Sequence, residues 1–180
     1  MPIRRDPDLL QPESCVHLYY GTGKGKTTAA MGLALRALGR GKRVVIVQFL
    51  KGRPSGELEP LQRLGAVIFR GKAGQRFVSQ MSDAEREETR SLQNDNLRRA
   101  AALPSDLLIL DEACAALQLN MVDEELLRQA VLARPSGREL VLTGRTPSGW
   151  MLEAADYITE MRGERHPYDR GLAAREGIEY

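Results

Sequence analysis

Long apolar runs are missing from this chain. No stretch of about 18 residues is apolar enough for a membrane-spanning helix, so no membrane partner is expected. Cysteine and histidine are scarce. Cys15 and Cys114 form no CxxC pair, and with His17 and His166 they are too few and too scattered for a zinc site. Such sparse cysteine makes a reduced, cytoplasmic compartment the default. An excess of one charge is lacking too: 26 basic against 24 acidic side chains leave a net +2, so bulk charge points to no nucleic-acid or membrane-surface partner. The first residues, MPIRRDPDLLQPES, carry charges and prolines where a signal peptide needs an apolar stretch, and residues 1–14 are expected to be a flexible arm. What remains is ordinary globular material: 180 residues, 42% hydrophobic and 28% charged, enough for one domain with a single core.

Apolar segments without polar alternation recur along the chain. CVHLYY (15–20), RVVIVQFL (43–50), AVIFR (66–70), SDLLILDE (105–112), ELVLTGR (139–145) and DYITEM (156–161) read as strands, most of them covered on both faces. Between them lie helical patterns at 27–38, 58–64, 83–102 and 122–133, and one expected to start at Thr146 and Pro147 and run to about 155. Ser82 followed by Glu85 is a capping box for the third of these. Strands alternating with helices predict an α/β fold: a mostly parallel sheet with helices on both faces, in one domain over 15–180.

One segment carries the chemistry. GTGKGKTTAA (21–30) follows the first strand and opens the first helix. Glycines let consecutive backbone N–H groups turn inward as an anion cradle, and the helix adds its positive end. Lys26 supplies a charge for phosphate oxygens, and the Thr27 hydroxyl suits Mg2+. The common pattern GxxxxGK[ST] departs at one place, where Tyr20 stands for its first glycine; Gly21 and Gly23 remain to make the turn. LLILDE (107–112) brings Asp111 and Glu112 to the strand's C-terminal end, where open α/β sheets bind ligands, as carboxylates for Mg2+. LTGR (142–145) brings Arg145 to the same edge, a planar donor for phosphate. These residues describe a single-domain P-loop NTPase-like, RecA-like domain for Mg2+-nucleoside triphosphate. They name no reaction, for no nucleophile–base pair stands out.

In combination, GTGKGKTTAA, GKRVVIVQFLKG, LLILDE, LTGR, ADYITEM and HPYDRGLAAREGIEY resemble the ATP:corrinoid adenosyltransferases, over roughly residues 15 to 180. Members of that family lack the first P-loop glycine as well. The resemblance implies that a Co(I) corrinoid attacks the 5′ carbon of ATP, that the adenosyl group moves to cobalt, and that triphosphate leaves. The corrinoid is then its own nucleophile, which accounts for the missing catalytic Ser, Cys or His. ATP lies in the reverse sense to other P-loop enzymes, its far phosphate end in the cradle. By position, Gly21, Thr22, Gly23, Lys24, Gly25, Lys26, Thr27 and Thr28 match the triphosphate loop. Lys26 and Arg145 match the catalytic charge-neutralising pair, and Thr27, Glu112 and Asp111 the Mg2+ side. Gln48 and Lys51 in QFLKG fall near the site, and His166, Asp169 and Gly171 belong to the C-terminal signature. Better-known members carry a Phe-Thr-Trp stretch against the corrin after the third strand; here the region reads GKAGQRFVSQ, and Phe77 is the candidate substitute. The resemblance also implies a homodimer and a flavoprotein reductant. Two other readings stay open on the residues alone: a small P-loop ATPase or phosphotransferase releasing ADP, and a non-catalytic ATP-binding regulator.

Overall fold

The computed structural model describes residues 14–72 and 76–180. The expected arm therefore lies, but for Ser14, outside the described residues, as do three positions of the loop after the third strand. Six strands form one sheet in the order β3-β2-β4-β5-β1-β6. They are β1 (Val16–Tyr20), β2 (Val44–Gln48), β3 (Val67–Arg70), β4 (Leu107–Asp111), β5 (Glu139–Gly144) and β6 (Tyr157–Glu160). Every pairing is parallel, so "mostly parallel" becomes wholly parallel among the described residues.

The helices are α1 (Lys26–Leu38), α2 (Leu58–Arg63), α3 (Asp83–Ala102), α4 (Ala113–Gln118), α5 (Glu124–Leu132) and α6 (Gly149–Ala154). Topology assigns their faces. The crossovers through α1 and α2 run one way along the sheet, and those after β3, β4 and β5 run the other. With right-handed crossovers, opposite directions fall on opposite faces. The two cores bear this out. Val44, Ile46, Leu107, Ile109 and Val141 pack with Ala30, Met31, Ala34 and Leu61 on one face. Val45, Val47, Leu108, Leu110, Leu140 and Leu142 pack with Leu97, Ala113, Leu127 and Met151 on the other. Unbroken apolar strands are the consequence, since alternate residues serve opposite cores. The edge strand β6 is instead exposed along its length.

Three local readings need amendment. The capping box of α3 forms as expected, Glu85 N–H donating to Ser82 Oγ at 3.2 Å and Ser82 N–H to Glu85 Oε2 at 2.8 Å. The helix expected from Thr146 begins later, at Gly149, because the Arg145 carbonyl accepts from Gly21 N–H at 3.0 Å and keeps that turn against the glycine loop. Helix α5 begins at Glu124, where the Asp123 side chain caps Leu126 N–H at 2.9 Å. Helix α4 is absent from the expected helices; it follows Glu112 with no intervening loop, and its six residues ACAALQ are too short a run for a helical period to show.

Away from the site, the starts of β2 and β4 are latched by one ion pair. Arg43 donates to Asp106 from its backbone at 2.8 Å and from its guanidinium at 3.2 Å and 3.3 Å. These bonds hold the Asp106 carboxyl down at about 2. A carboxyl depressed in the folded state stabilises above its unfolded value of about 3.9 and loses that contribution as pH falls toward the folded value. Urea unfolding of the wild type and Asp106→Asn should therefore differ at neutral pH, with the wild type more stable. The difference should shrink steadily as pH drops from about 4 toward 2.

Candidate active site

The glycine loop leaves β1 at the sheet's C-terminal edge, where the crossovers from β1 and β5 depart in opposite directions and open a crevice. Tyr20 completes the strand, paired with Gly144 and Glu160, and the chain turns one residue later, at Gly21 with φ 111°. The missing first glycine is thereby replaced. Gly21 and Gly23 are small for a second reason: a β-carbon on them would fall 2.5 Å and 2.8 Å from the Met161 carbonyl oxygen. That carbonyl accepts from Gly23 N–H at 2.6 Å, and Thr22 Oγ1 accepts from Gly163 N–H at 3.2 Å. The segment after β6 thus straps the loop. Gly25, also at φ 111°, leads into α1.

Lys26 folds back over the loop, donating to the carbonyls of Gly21 at 2.8 Å and Gly23 at 2.6 Å. Burial lowers its pKa, and Arg145 lowers it further against the opposing pull of Glu112. A cavity of about 390 Å3 opens over the cradle, lined by residues 22–28, Glu112 and Arg145. Arg145 therefore faces the space that Lys26 faces, as expected from LTGR. Gly144 before it is required by packing, since a β-carbon there would lie 2.3 Å from Cys114 Cβ. That burial pushes the Cys114 thiol up to about 12, which makes it an inert packing group.

Asp111 is the buried anchor of the other half. Its carboxylate is fully buried and accepts from Thr27 Oγ1 at 2.9 Å and Thr143 Oγ1 at 2.7 Å on one oxygen. On the other it accepts from Lys51 Nζ at 2.5 Å and Gln48 Nε2 at 3.4 Å. Lys51 Nζ also donates to Thr27 Oγ1 at 3.1 Å. Gln48 lies beside Asp111 in register across β2 and β4, and its second donor contact is Glu57 at 3.4 Å. Glu112 turns the other way: at φ 62° its backbone is left-handed, an uncommon state for a residue with a β-carbon. Its N–H donates to Thr143 Oγ1 at 2.9 Å while its side chain lines the cavity. Burial raises its pKa, and the Asp111 charge raises it further. A hydroxyl and two carboxylates within one crevice are oxygen donors of the kind a hard cation takes, and the ammonium already drawn between Thr27 and Asp111 shows that positive charge suits the place.

Two features escaped sequence reasoning. Thr143 carries no role in the sequence reading of LTGR, yet its hydroxyl donates to the Asp111 carboxylate and accepts from Glu112 N–H. The ending GIEY was quoted only as a signature, yet Ile178 and Glu179 line the cradle cavity, and Lys24 Nζ donates to the Ile178 carbonyl at 3.2 Å. His166 also lines it, with Nδ1 accepting from Tyr168 N–H at 3.2 Å. Thr28 lies where this cavity meets a neighbouring one of about 550 Å3 bordered by Met31, Leu35 and Leu61. Phe77 is 71% exposed, so core packing is not its role; Lys72 Nζ lies 5.9 Å from its ring centre.

The family model for ATP:corrinoid adenosyltransferase BtuR/CobO/CobP matches residues 12–180. A corrinoid adenosyltransferase of Escherichia coli K12 is 35% identical over 91% of this chain and 84% of its own length. That of Salmonella typhimurium is 34% identical over 91% and 84%, and that of Pseudomonas aeruginosa 33% over 91% and 82%. A solved T48 deacetylase overlaps 93% of this chain and 96% of its own at 12% identity, with a TM-score of 0.27, too low to bear on the fold.

The contact between Gly144 and Cys114 yields a direct test. Gly144→Ala should destabilise the protein by about 1–3 kcal/mol, as overpacking does. Because the added carbon would meet both Cβ and Sγ of Cys114, adding Cys114→Ala should relieve only the sulfur contact and leave most of the loss in thermal unfolding.

Proposed function

The chain belongs to the ATP:corrinoid adenosyltransferase family, and we propose from that membership how its own residues serve the reaction. The enzyme transfers the 5′-deoxyadenosyl group of ATP to the Co(I) centre of a corrinoid and releases triphosphate. The cobalt–carbon bond forms as the bond between C5′ and its phosphate oxygen breaks. The electron pair of that broken bond leaves on triphosphate, and cobalt is oxidised by two electrons in making the new bond. The observation that carries this reading is the family match over 12–180, joined to a strapped glycine cradle that holds Lys26 and faces Arg145.

On this reading the protein makes no nucleophile. Its tasks are to fix the triphosphate and to meet the charge that grows on it. The N-terminus of α1 and the loop N–H groups other than those of Gly21 and Gly23, which donate to the Arg145 and Met161 carbonyls, supply the fixed part of that field. Lys26 releases the Gly21 and Gly23 carbonyls to reach phosphate oxygens. Its depressed proton affinity reflects a charge kept from water, where its attraction for phosphate is stronger. Arg145 adds a second, planar donor. Thr27, Asp111 and Glu112 are the groups that would hold Mg2+, which when bound would spread the leaving group's charge. Asp111 fixes Thr27 through its hydroxyl, and Thr143 fixes Asp111.

The corrinoid face is assigned to the loop after β3. Gly71 N–H donates to the Lys51 carbonyl at 3.2 Å, which keeps Gly71 beside Lys51. Phe77, exposed at the following 3-10 turn, is the aromatic surface offered to the macrocycle. A flavoprotein reductant, a homodimer and a cytoplasmic location belong to the same reading.

The deciding experiment is anaerobic: protein, Mg2+-ATP and chemically reduced corrinoid, with the products resolved. A photolabile cobalt–carbon bond formed in step with triphosphate is expected; ADP formed without regard to corrinoid would identify a phosphotransferase instead. An ATP analogue blocked at the β–γ bridge should remain a substrate, because that bond is not broken. Lys26→Ala should lower the rate by about a hundredfold or more, the usual cost of removing one preorganised donor, while thermal unfolding stays near wild type. Phe77→Ala should raise KM for the corrinoid and leave KM for ATP unchanged.

A further inference from the structure

Strand β2 ends at Gln48, and two residues later Leu50 takes φ 60°, a left-handed backbone disfavoured for any residue with a β-carbon. That conformation persists because its surroundings hold it. Phe49 N–H donates to the Asp111 carbonyl at 3.0 Å before it, and Gly71 N–H to the Lys51 carbonyl at 3.2 Å after it. Leu50 itself packs into two hydrophobic clusters. The result is that Lys51, the next residue, turns back into the crevice instead of pointing to solvent. Its ammonium lies 2.5 Å from Asp111 Oδ2 and 3.1 Å from Thr27 Oγ1. Among the described residues it is the one ion-pair partner of a fully buried carboxylate. A buried carboxylate without a counter-charge is strongly destabilising.

We propose that Lys51 is an internal stand-in cation. In the nucleotide-free enzyme it occupies the place between Thr27 and Asp111 and keeps Asp111 compensated. It must leave that place when Mg2+ enters with the nucleotide, and its charge is then released toward the triphosphate. The inference rests on the reading of Thr27 and Asp111 as part of a cation site. It explains why a strained leucine is maintained one residue before a lysine. It also implies that metal alone competes with the ammonium and enters only at high concentration, whereas nucleotide phosphate oxygens draw the ammonium away and let metal bind well with ATP.

The test uses Mn2+ as probe in the full chain, with neither nucleotide nor corrinoid present. Lys51→Met should bind Mn2+ about tenfold or more tighter than the wild type, because the internal competitor is gone. In chelator its Tm should lie below the wild type's, and added Mg2+ should restore much of the loss. Equal or weaker Mn2+ binding, or an unchanged Tm in chelator, would overturn the proposal. Should Lys51→Met fail to fold, the wild type decides it: saturating Mg2+ should raise the rate at which acetic anhydride modifies the Lys51 amine, read by mass spectrometry. An unchanged or slower rate would count against displacement. The adenosylation assay on wild-type enzyme is a separate readout. Its failure would remove the assigned reaction while leaving the metal competition standing, and failure of the competition would leave the reaction untouched.

Discussion

The compensation of one buried carboxylate organises this molecule. Asp111 sits at the end of a central strand with no access to solvent, and four side chains answer it: Thr27 from α1, Thr143 from β5, Gln48 from β2 and Lys51 from the turn beyond. Each comes from a different segment, so the charge can be satisfied only when these segments are in register. Such a network, when complete, specifies one arrangement of its surroundings, because a half-satisfied version is worse than an apolar core. Here the arrangement it specifies is that of the sheet's C-terminal edge, with the α1 N-terminus and the ends of β2, β4 and β5 brought to one point.

Much of this was legible in the residues, and the reasons are physical. Doubly covered strands announce themselves as unbroken apolar runs, as VVIVQ and LLILD do. A glycine loop between a strand and a helix has few other uses. Ser82 and Glu85 marked a helix start to the residue. Local pattern failed where long-range contacts decided the outcome. The delayed start of α6 depends on a hydrogen bond from Gly21, more than 120 residues earlier in the chain. Helix α4 follows a left-handed Glu112, a conformation that no propensity of glutamate suggests. Thr143 looked like filler, because the value of a hydroxyl at that position depends on which carboxylate faces it from the next strand.

The same contrast separates the glycines. Gly21 and Gly23 are read from the sequence as free backbone for an anion, yet their N–H groups donate to the Arg145 and Met161 carbonyls. The two glycines are also spaces into which the Met161 carbonyl fits, and Gly144 is a space for Cys114. A motif read for ligand binding therefore carries a packing requirement that its chemistry does not reveal. A substitution in the loop would disturb its support as well as its ligand.

That support comes from an unusual quarter. The segment holding the loop continues from β6, among the described residues the one strand with neither a second neighbour nor cover over its residues. Edge strands of this kind open first in native-state hydrogen exchange, because little apolar surface closes over them. Opening here would release Gly23 N–H and the Thr22 hydroxyl together, so the cradle and the rim of the sheet form one cooperative unit. Any restraint on the loop should accordingly appear as slower amide exchange at Met161 and Gly163, on the outer margin of the protein.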